Sequence, residues 1–138
     1  MVAMKLDGNL NLRTSPLASD GLAILGRPAS LIGYLCGSLS AAGKLTHESM
    51  HTHDPQGEMY CIHSVCVDPA YRGMGLAKWM LDAHRQQWLP VLLPRVKTRS
   101  LICKQDQIGL FMSAGFELVG PSDIKRGKRQ GYEMRQVL

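Results

Sequence analysis

The chain has 138 residues, 45% of them hydrophobic and 20% charged, with a formal net charge of +5. That length makes one domain with a real core rather than two, and the composition is that of a soluble globular protein. No apolar run approaches a membrane span. The start, Met1-Val2-Ala3-Met4-Lys5-Leu6-Asp7-Gly8, lacks the apolar stretch of a signal peptide, so a cytoplasmic or nuclear placement is the default.

In chain order, Met1 to Asp20 is rich in Asn, Ser, Pro and Gly without a sustained period and reads as a loose segment, with the domain proper over residues 21–138. Leu22 to Leu25 and Ser30 to Leu39 read as a short and a longer strand joined by a Gly26-Arg27-Pro28 turn. Gly43 to Gly57 is polar and reads as a loop with at most a helical turn. Met59 to Val67 is almost wholly apolar and rich in β-formers, which predicts a buried strand ended by Asp68 and Pro69. Leu76, Trp79, Met80 and Ala83 form one face of a helix over Gly75 to Gln87, closed by Pro90. Thr98 to Cys103 is a strand. Asp106 to Ala114 is a short helix with Gly115 as its C-cap, and Phe116 to Val119 and Gly131 to Val137 make a closing hairpin. The fold class is a single α/β domain built on a mixed sheet.

Basic residues gather at Arg95, Lys97 and Arg99, and again at Lys125, Arg126, Lys128 and Arg129. They are either solvated loops and strand ends or a field for a polyanion, for which a nucleotide cofactor suffices. Nucleic acid is the weaker alternative, since no binding motif with interleaved aromatics is present. Cys36, Cys61, Cys66 and Cys103 form no C-x-x-C pair, lie in apolar surroundings and read as reduced core residues. His47, His51 and His53 lack a carboxylate and cysteine pattern and read as surface loop residues rather than metal ligands. His84 falls on the polar side of its helix and reads as solvated.

The chemistry lies between Met59 and Ala77. A strand, a glycine-rich turn and a helix N-terminus make a cradle for a phosphorylated ligand, because free backbone N–H groups and the positive end of the helix dipole point at it. His63 places a candidate base on the adjoining strand. A P-loop would need a hydroxyl where Ala77-Lys78-Trp79 stands, and a dinucleotide fingerprint a third glycine where Lys78 stands. Arg72, Gly75 and Ala77 fill an Arg-x-x-Gly-x-Ala pyrophosphate loop.

With that loop, several further segments carry a resemblance. They are Gly37-Ser38-Leu39, Leu45-Thr46-x-Glu48-Ser49, His53-x-Pro55-x-Gly57, His63, Phe116 and Val119-Gly120-Pro121. From about Pro16 onward the chain resembles the GNAT acetyltransferases, and within them the arylalkylamine (serotonin) N-acetyltransferases. The resemblance implies a mostly antiparallel sheet flanked by helices. It implies acetyl transfer from acetyl-CoA, with no metal, to a primary amine of arylalkylamine or polyamine type. Val65, Cys66 and Val67 would pair with the pantetheine arm of CoA. The amides of Arg72, Gly73, Met74, Gly75, Leu76, Ala77 and Lys78 would hold the pyrophosphate. His63 would be the base, and Cys61, Ile102 and Tyr132 would lie on the acceptor side. An alkylammonium must lose a proton before it attacks, so a base is needed, and a neutral imidazole serves. The tetrahedral oxyanion needs a donor, which a backbone N–H beside the strand can supply.

The departures are specific. The family's first strand histidine is Cys61 here, which allows a Cys61–His63 nucleophilic pair as an alternative. The family's proton-donating tyrosine is Phe111, so a slow enzyme is expected; Tyr132, in the last strand, reads as an aromatic packed in the core, with a role as substitute donor as the alternative. The usual N-terminal strand–helix–helix wall of the acceptor pocket is missing. It is supplied upstream, or by a partner or second copy, or the chain is a CoA-binding or interaction module without efficient transfer.

Overall fold

The computed structural model describes residues 2–16, 31–41 and 45–138. Its strands are β1 (Val2–Asp7), β2 (Leu12–Pro16), β3 (Leu31–Ser40), β4 (Met59–Val67), β5 (Thr98–Cys103), β6 (Glu117–Arg126) and β7 (Arg129–Val137). They form one seven-stranded sheet in the order β2-β1-β3-β4-β5-β7-β6. Every neighbouring pair is antiparallel except β4 and β5. A parallel pair cannot be joined by a hairpin, so the chain between them must cross over one face of the sheet as a helix.

That crossover is α2, which runs as an α-helix over Leu76–Ala83, as a π turn over His84–Trp88 and as a last α-helical turn over Leu89–Leu92. Met80, Leu81, His84, Trp88 and Leu89 are buried against the sheet, whereas Trp79 is 41% exposed. The sequence predicts a helix closed by Pro90, but the helix continues through it to Leu92. The π turn shifts its hydrogen bonding, with Leu89 N donating to His84 O, and Pro90 falls in the first turn of the next piece. There its missing N–H costs little. The expectation of a solvated His84 is also overturned, since its side chain is fully buried.

α3 (Ile108–Ser113) packs on the same face as α2, and Gly115 behind it takes φ 93°, the left-handed cap expected of it. Met4, Leu6, Tyr60, Ile62, Met80, Leu81, Phe111, Phe116 and Met134 belong to the main core on that side. Met59 and Cys61 alternate with Tyr60 and Ile62 along β4 and point the other way, into a smaller cluster with Leu45, Ile102 and Ile124. Next to this cluster lies α1 (His47–His51), started by a reciprocal cap in which Thr46 Oγ1 accepts from Ser49 N and Ser49 Oγ accepts from Thr46 N.

The N-terminal segment read as loose is a hairpin over its described part. β1 pairs with β2 from Val2↔Pro16 to Leu6↔Leu12 and with β3 from Val2↔Gly37 onward. Asp7 Oδ1 accepts from the N–H groups of Asn9 and Asn11, so the polar residues that obscured the strand pattern are the turn itself. Ala3, Met4 and Leu6 are fully buried. Among the described residues no helix precedes β3, and the predicted Leu22–Leu25 strand lies outside them.

Candidate active site

β4 is irregular at one residue. Cys36 of β3 pairs with Ser64 and Gly37 pairs with Ile62, so β4 carries one extra residue, His63, in a β-bulge. A Cβ on Gly37 would stand 2.2 Å from the Cys61 carbonyl oxygen and 2.5 Å from the Tyr60 ring, so β3 closes on the bulge only because glycine is there. His63 is half-buried, and its Nε2 lies 2.9 Å from Ser38 Oγ.

Beyond the bulge β4 loses its partner on one side. It pairs with β3 as far as Val67 but with β5 only as far as Ile62. The diverging strands open a cavity of about 230 Å³, lined by His63 to Cys66 on one side, Leu101 to Cys103 on the other, and Gln107 and Phe111 above. It shares Val65, Cys66 and Gln107 with a larger cleft of about 670 Å³ that runs to the glycine loop.

The loop forms because Asp68 Oδ1 caps a short turn at Ala70 N and Arg72 Nε reaches back to Val67 O at 3.0 Å. Gly73 and Gly75 then adopt φ 79° and φ 76°, where a side chain would strain the backbone, and a Cβ at either would meet nothing within 4 Å. Gly75 is the N-cap of α2 and offers no side-chain cap, so the first amides of the helix are left for a ligand. Arg72, Lys78 and Lys104 line the cleft with no carboxylate among its lining residues. A polyanion is the ligand that such a cleft favours.

Of the residues singled out from the sequence, Val65, Cys66, Val67, Arg72, Gly73, Gly75, Leu76, Ala77 and Lys78 line the large cleft. His63, Ile102 and Phe111 line the small cavity. Met74 is 60% exposed on the loop. Cys61 does not line the cavity with His63. It is fully buried in the smaller cluster, where desolvation and then the charge of Glu133 push its thiol up to about 12. Such a thiol is not a nucleophile at neutral pH. Tyr132 is half-buried, stands between Cys103 and Pro121 in the ladders and packs against the main core.

Two sequence expectations fail here. Cys66 is not a core residue but is half-buried in the cleft wall. Arg99 does not belong to a solvated strand end but is fully buried. Ser38, Gln107 and Lys104 join the site without having been picked out. Ser38 lay in a noted motif, but only the bulge brings it to His63. His53 is engaged structurally, with Nδ1 accepting from Leu39 N at 3.1 Å. No three His, Cys, Asp or Glu side chains among the described residues come together to hold a metal ion. No helix among them is long and apolar enough to cross a membrane.

The fold that carries this cleft has counterparts among known proteins. The family model for the acetyltransferase (GNAT) family matches residues 17–92. The chain belongs to that family. The GNAT chain is 27% identical over 105 residues to a serotonin N-acetyltransferase of Mesocricetus auratus, covering 76% of itself and 50% of the relative. It thus spans about half the length of that relative. Among solved structures, an acyl-CoA N-acyltransferase from Pseudomonas aeruginosa superposes with a TM-score of 0.56 at 20% identity, over 80% of this chain and 64% of the other. A chain of the NatC complex bound to Gag peptide and CoA superposes at 0.60 and 14% identity, over 82% and 65%. The shared GNAT fold is a mixed α/β domain with a mostly antiparallel sheet, as the sequence predicts.

Proposed function

We propose that this domain transfers an acetyl group from acetyl-CoA to a primary amine by direct attack, with His63 as the base. The observation that carries the reading is the continuity of the cleft. The unpaired edge of β4, the uncapped glycine loop and the His63 cavity share lining residues in one groove. The two open glycines leave room for a pyrophosphate against the backbone, and the free edge from Val65 to Val67 suits a pantetheine arm adding as a strand. Bound there, acetyl-CoA supplies an activated thioester.

His63 takes one proton from the ammonium, and the freed nitrogen lone pair attacks the thioester carbonyl to form the C–N bond. The C–S bond of the tetrahedral adduct then breaks to release CoA thiolate, with the nitrogen's remaining surplus proton passing to the thiolate or to solvent. Ser38 sits against His63 Nε2 and can donate or accept, so it can follow the ring through that change. Phe111 contributes a ring and no proton at the same cavity. A thiol of pKa near 8.5 leaves as thiolate unaided, so the lack of an acid slows turnover without abolishing it. Arylalkylamines and polyamines are the acceptors we favour, on the motif resemblance and on the serotonin N-acetyltransferase named among the relatives.

The test is an acetyl-CoA turnover assay reading free thiol across arylalkylamines, polyamines and lysine peptides, run beside a thermal-shift titration with CoA. Turnover with one amine class is expected. Stabilisation by CoA with no acceptor turned over would favour a CoA-binding module instead, and a melt that ATP or NAD shifts but CoA does not would sink the cofactor.

A further inference from the structure

Arg99 is the largest fully buried side chain among the described residues, and it is a cation. A buried guanidinium is costly unless its donors are satisfied. Its partners here are all neutral. Nη1 donates to Leu81 O at 2.9 Å and to His84 Nδ1 at 3.0 Å, Nε and Nη2 donate to Gln136 Oε1 at 3.0 and 2.5 Å, and the group lies 4.7 Å from the centre of the Phe116 ring. Because arginine can only donate, His84 accepts at Nδ1 and its proton sits on Nε2. The imidazole is neutral, stacked on Trp88 and edge-on to Tyr60.

These contacts tie together elements that the main core only packs side by side, and they add directional polar links to that packing. Leu81 and His84 lie where α2 passes into its π turn, one helical turn and more behind the glycine loop. Gln136 belongs to β7 and turns its amide round, so that Oε1 takes Arg99 while Nε2 donates to Ala114 O at 3.1 Å, at the end of the helix that carries Phe111. A Cβ on Gly115 would stand 2.6 Å from that Nε2, so the amide rests directly on the helix end.

We propose that Arg99 is a positioning residue. It fixes the helix behind the pyrophosphate loop and the helix carrying Phe111 to one support on β5 and β7, and so sets the register between the phosphate end and the acetyl end of the cleft. Its effect on turnover rests on the acetyltransferase reading, whereas the mechanical tie does not. The planar fork matters, because two directions of donation at fixed angle hold two elements at once, which a lysine cannot do.

The experiment compares Arg99→Lys and Gln136→Glu with the wild type by amide hydrogen exchange and by CoA affinity, well below the melting temperature of each. Arg99→Lys should speed exchange in two separate segments, residues 76–88 and 111–115, and weaken CoA binding about tenfold. Gln136→Glu keeps an acceptor for Arg99 but removes the donor to Ala114, so only residues 111–115 should loosen. CoA affinity should then stay near wild type while kcat falls. Faster exchange spread evenly over all strands, or confined to one segment in Arg99→Lys, would overturn the tie. Loosening of both segments with unchanged CoA affinity and kcat would overturn the positioning role. If Arg99→Lys does not fold, Gln136→Glu still decides: loosening that extends to residues 76–88 contradicts the arrangement. If the wild type binds no CoA, it is the acetyltransferase reading that fails, and the exchange pattern alone judges Arg99.

Discussion

Ser38 Oγ and His63 Nε2 stand 2.9 Å apart across β3 and β4, where a bulge adds His63 to one strand and Gly37 lets the other close on it. The hydroxyl therefore orients the proposed base. His63→Ala is expected to lower kcat by a factor of about 10²–10⁴ with CoA affinity nearly unchanged, the range for loss of a general base. Ser38→Ala removes one hydrogen bond, about 0.5–1.5 kcal/mol, and should lower kcat by about 2–10-fold. Steady-state kinetics with separate CoA titration reads both; an unchanged kcat in His63→Ala would mean that solvent or another residue takes the proton.

Phe111 is buried in the small cavity and packs edge-on against Phe116 with ring centres 5.8 Å apart. Phe111→Tyr adds one oxygen in the cavity that His63 lines. We expect kcat to rise with no gain in cofactor affinity. A genuine basal rate left untouched would show that proton donation to the thiolate does not limit turnover.

Gly75 combines φ 76° with open space where its side chain would be. Gly75→Ala should cost about 1–2 kcal/mol through the left-handed backbone alone. Gly75→Asp adds a negative charge at the helix N-terminus facing the cleft, and should abolish the thermal shift given by CoA. A full CoA shift in Gly75→Asp would remove the pyrophosphate from this loop.

Burial, and then the charge of Arg99, hold the His84 imidazole neutral well below its ordinary 6.5. Unfolding lets it take a proton at any pH below 6.5, so the unfolded state binds more protons there and stability falls as pH falls. The stability from this group is fully present above that value and is lost progressively beneath it, with a slope of at most about 1.4 kcal/mol per pH unit. His53, lowered by desolvation, adds in the same direction. Urea melts between pH 7.5 and 5 should show this slope, and His84→Gln, which keeps an acceptor for Arg99, should flatten most of it.

Cys61 and Cys66 sit five residues apart on one strand with opposite prospects. Burial pushes the Cys61 thiol up to about 12, whereas Cys66 is half-buried in the cleft wall. Iodoacetamide at neutral pH should label Cys66 first, and CoA should protect it. Cys61→Ser should leave kcat within a few-fold of wild type. Near-complete loss of turnover in that variant would favour a covalent route through Cys61.

The sequence by itself determined what depends on local pattern and on backbone chemistry. β4 and β5 occupy Met59–Val67 and Thr98–Cys103 as their runs of apolar β-formers predict, and Gly115 caps its helix in the left-handed conformation. The glycine loop could be read because the left-handed φ values it adopts at Gly73 and Gly75 are ones that glycine takes without strain. Tertiary structure alone decided the rest. His84 and Arg99 look like surface residues because each is polar, and their burial depends on partners from distant segments: Gln136 and Leu81 O with His84 Nδ1 for Arg99, and Arg99 for His84 Nδ1. The hairpin of β1 and β2 is hidden by its own polar turn and is held by pairing with β3, thirty or so residues on. The bulge that brings Ser38 to His63 and the parting of β4 from β5 are matters of register between strands. Register is set by which side chains pack together once the sheet has formed, and no single segment encodes it.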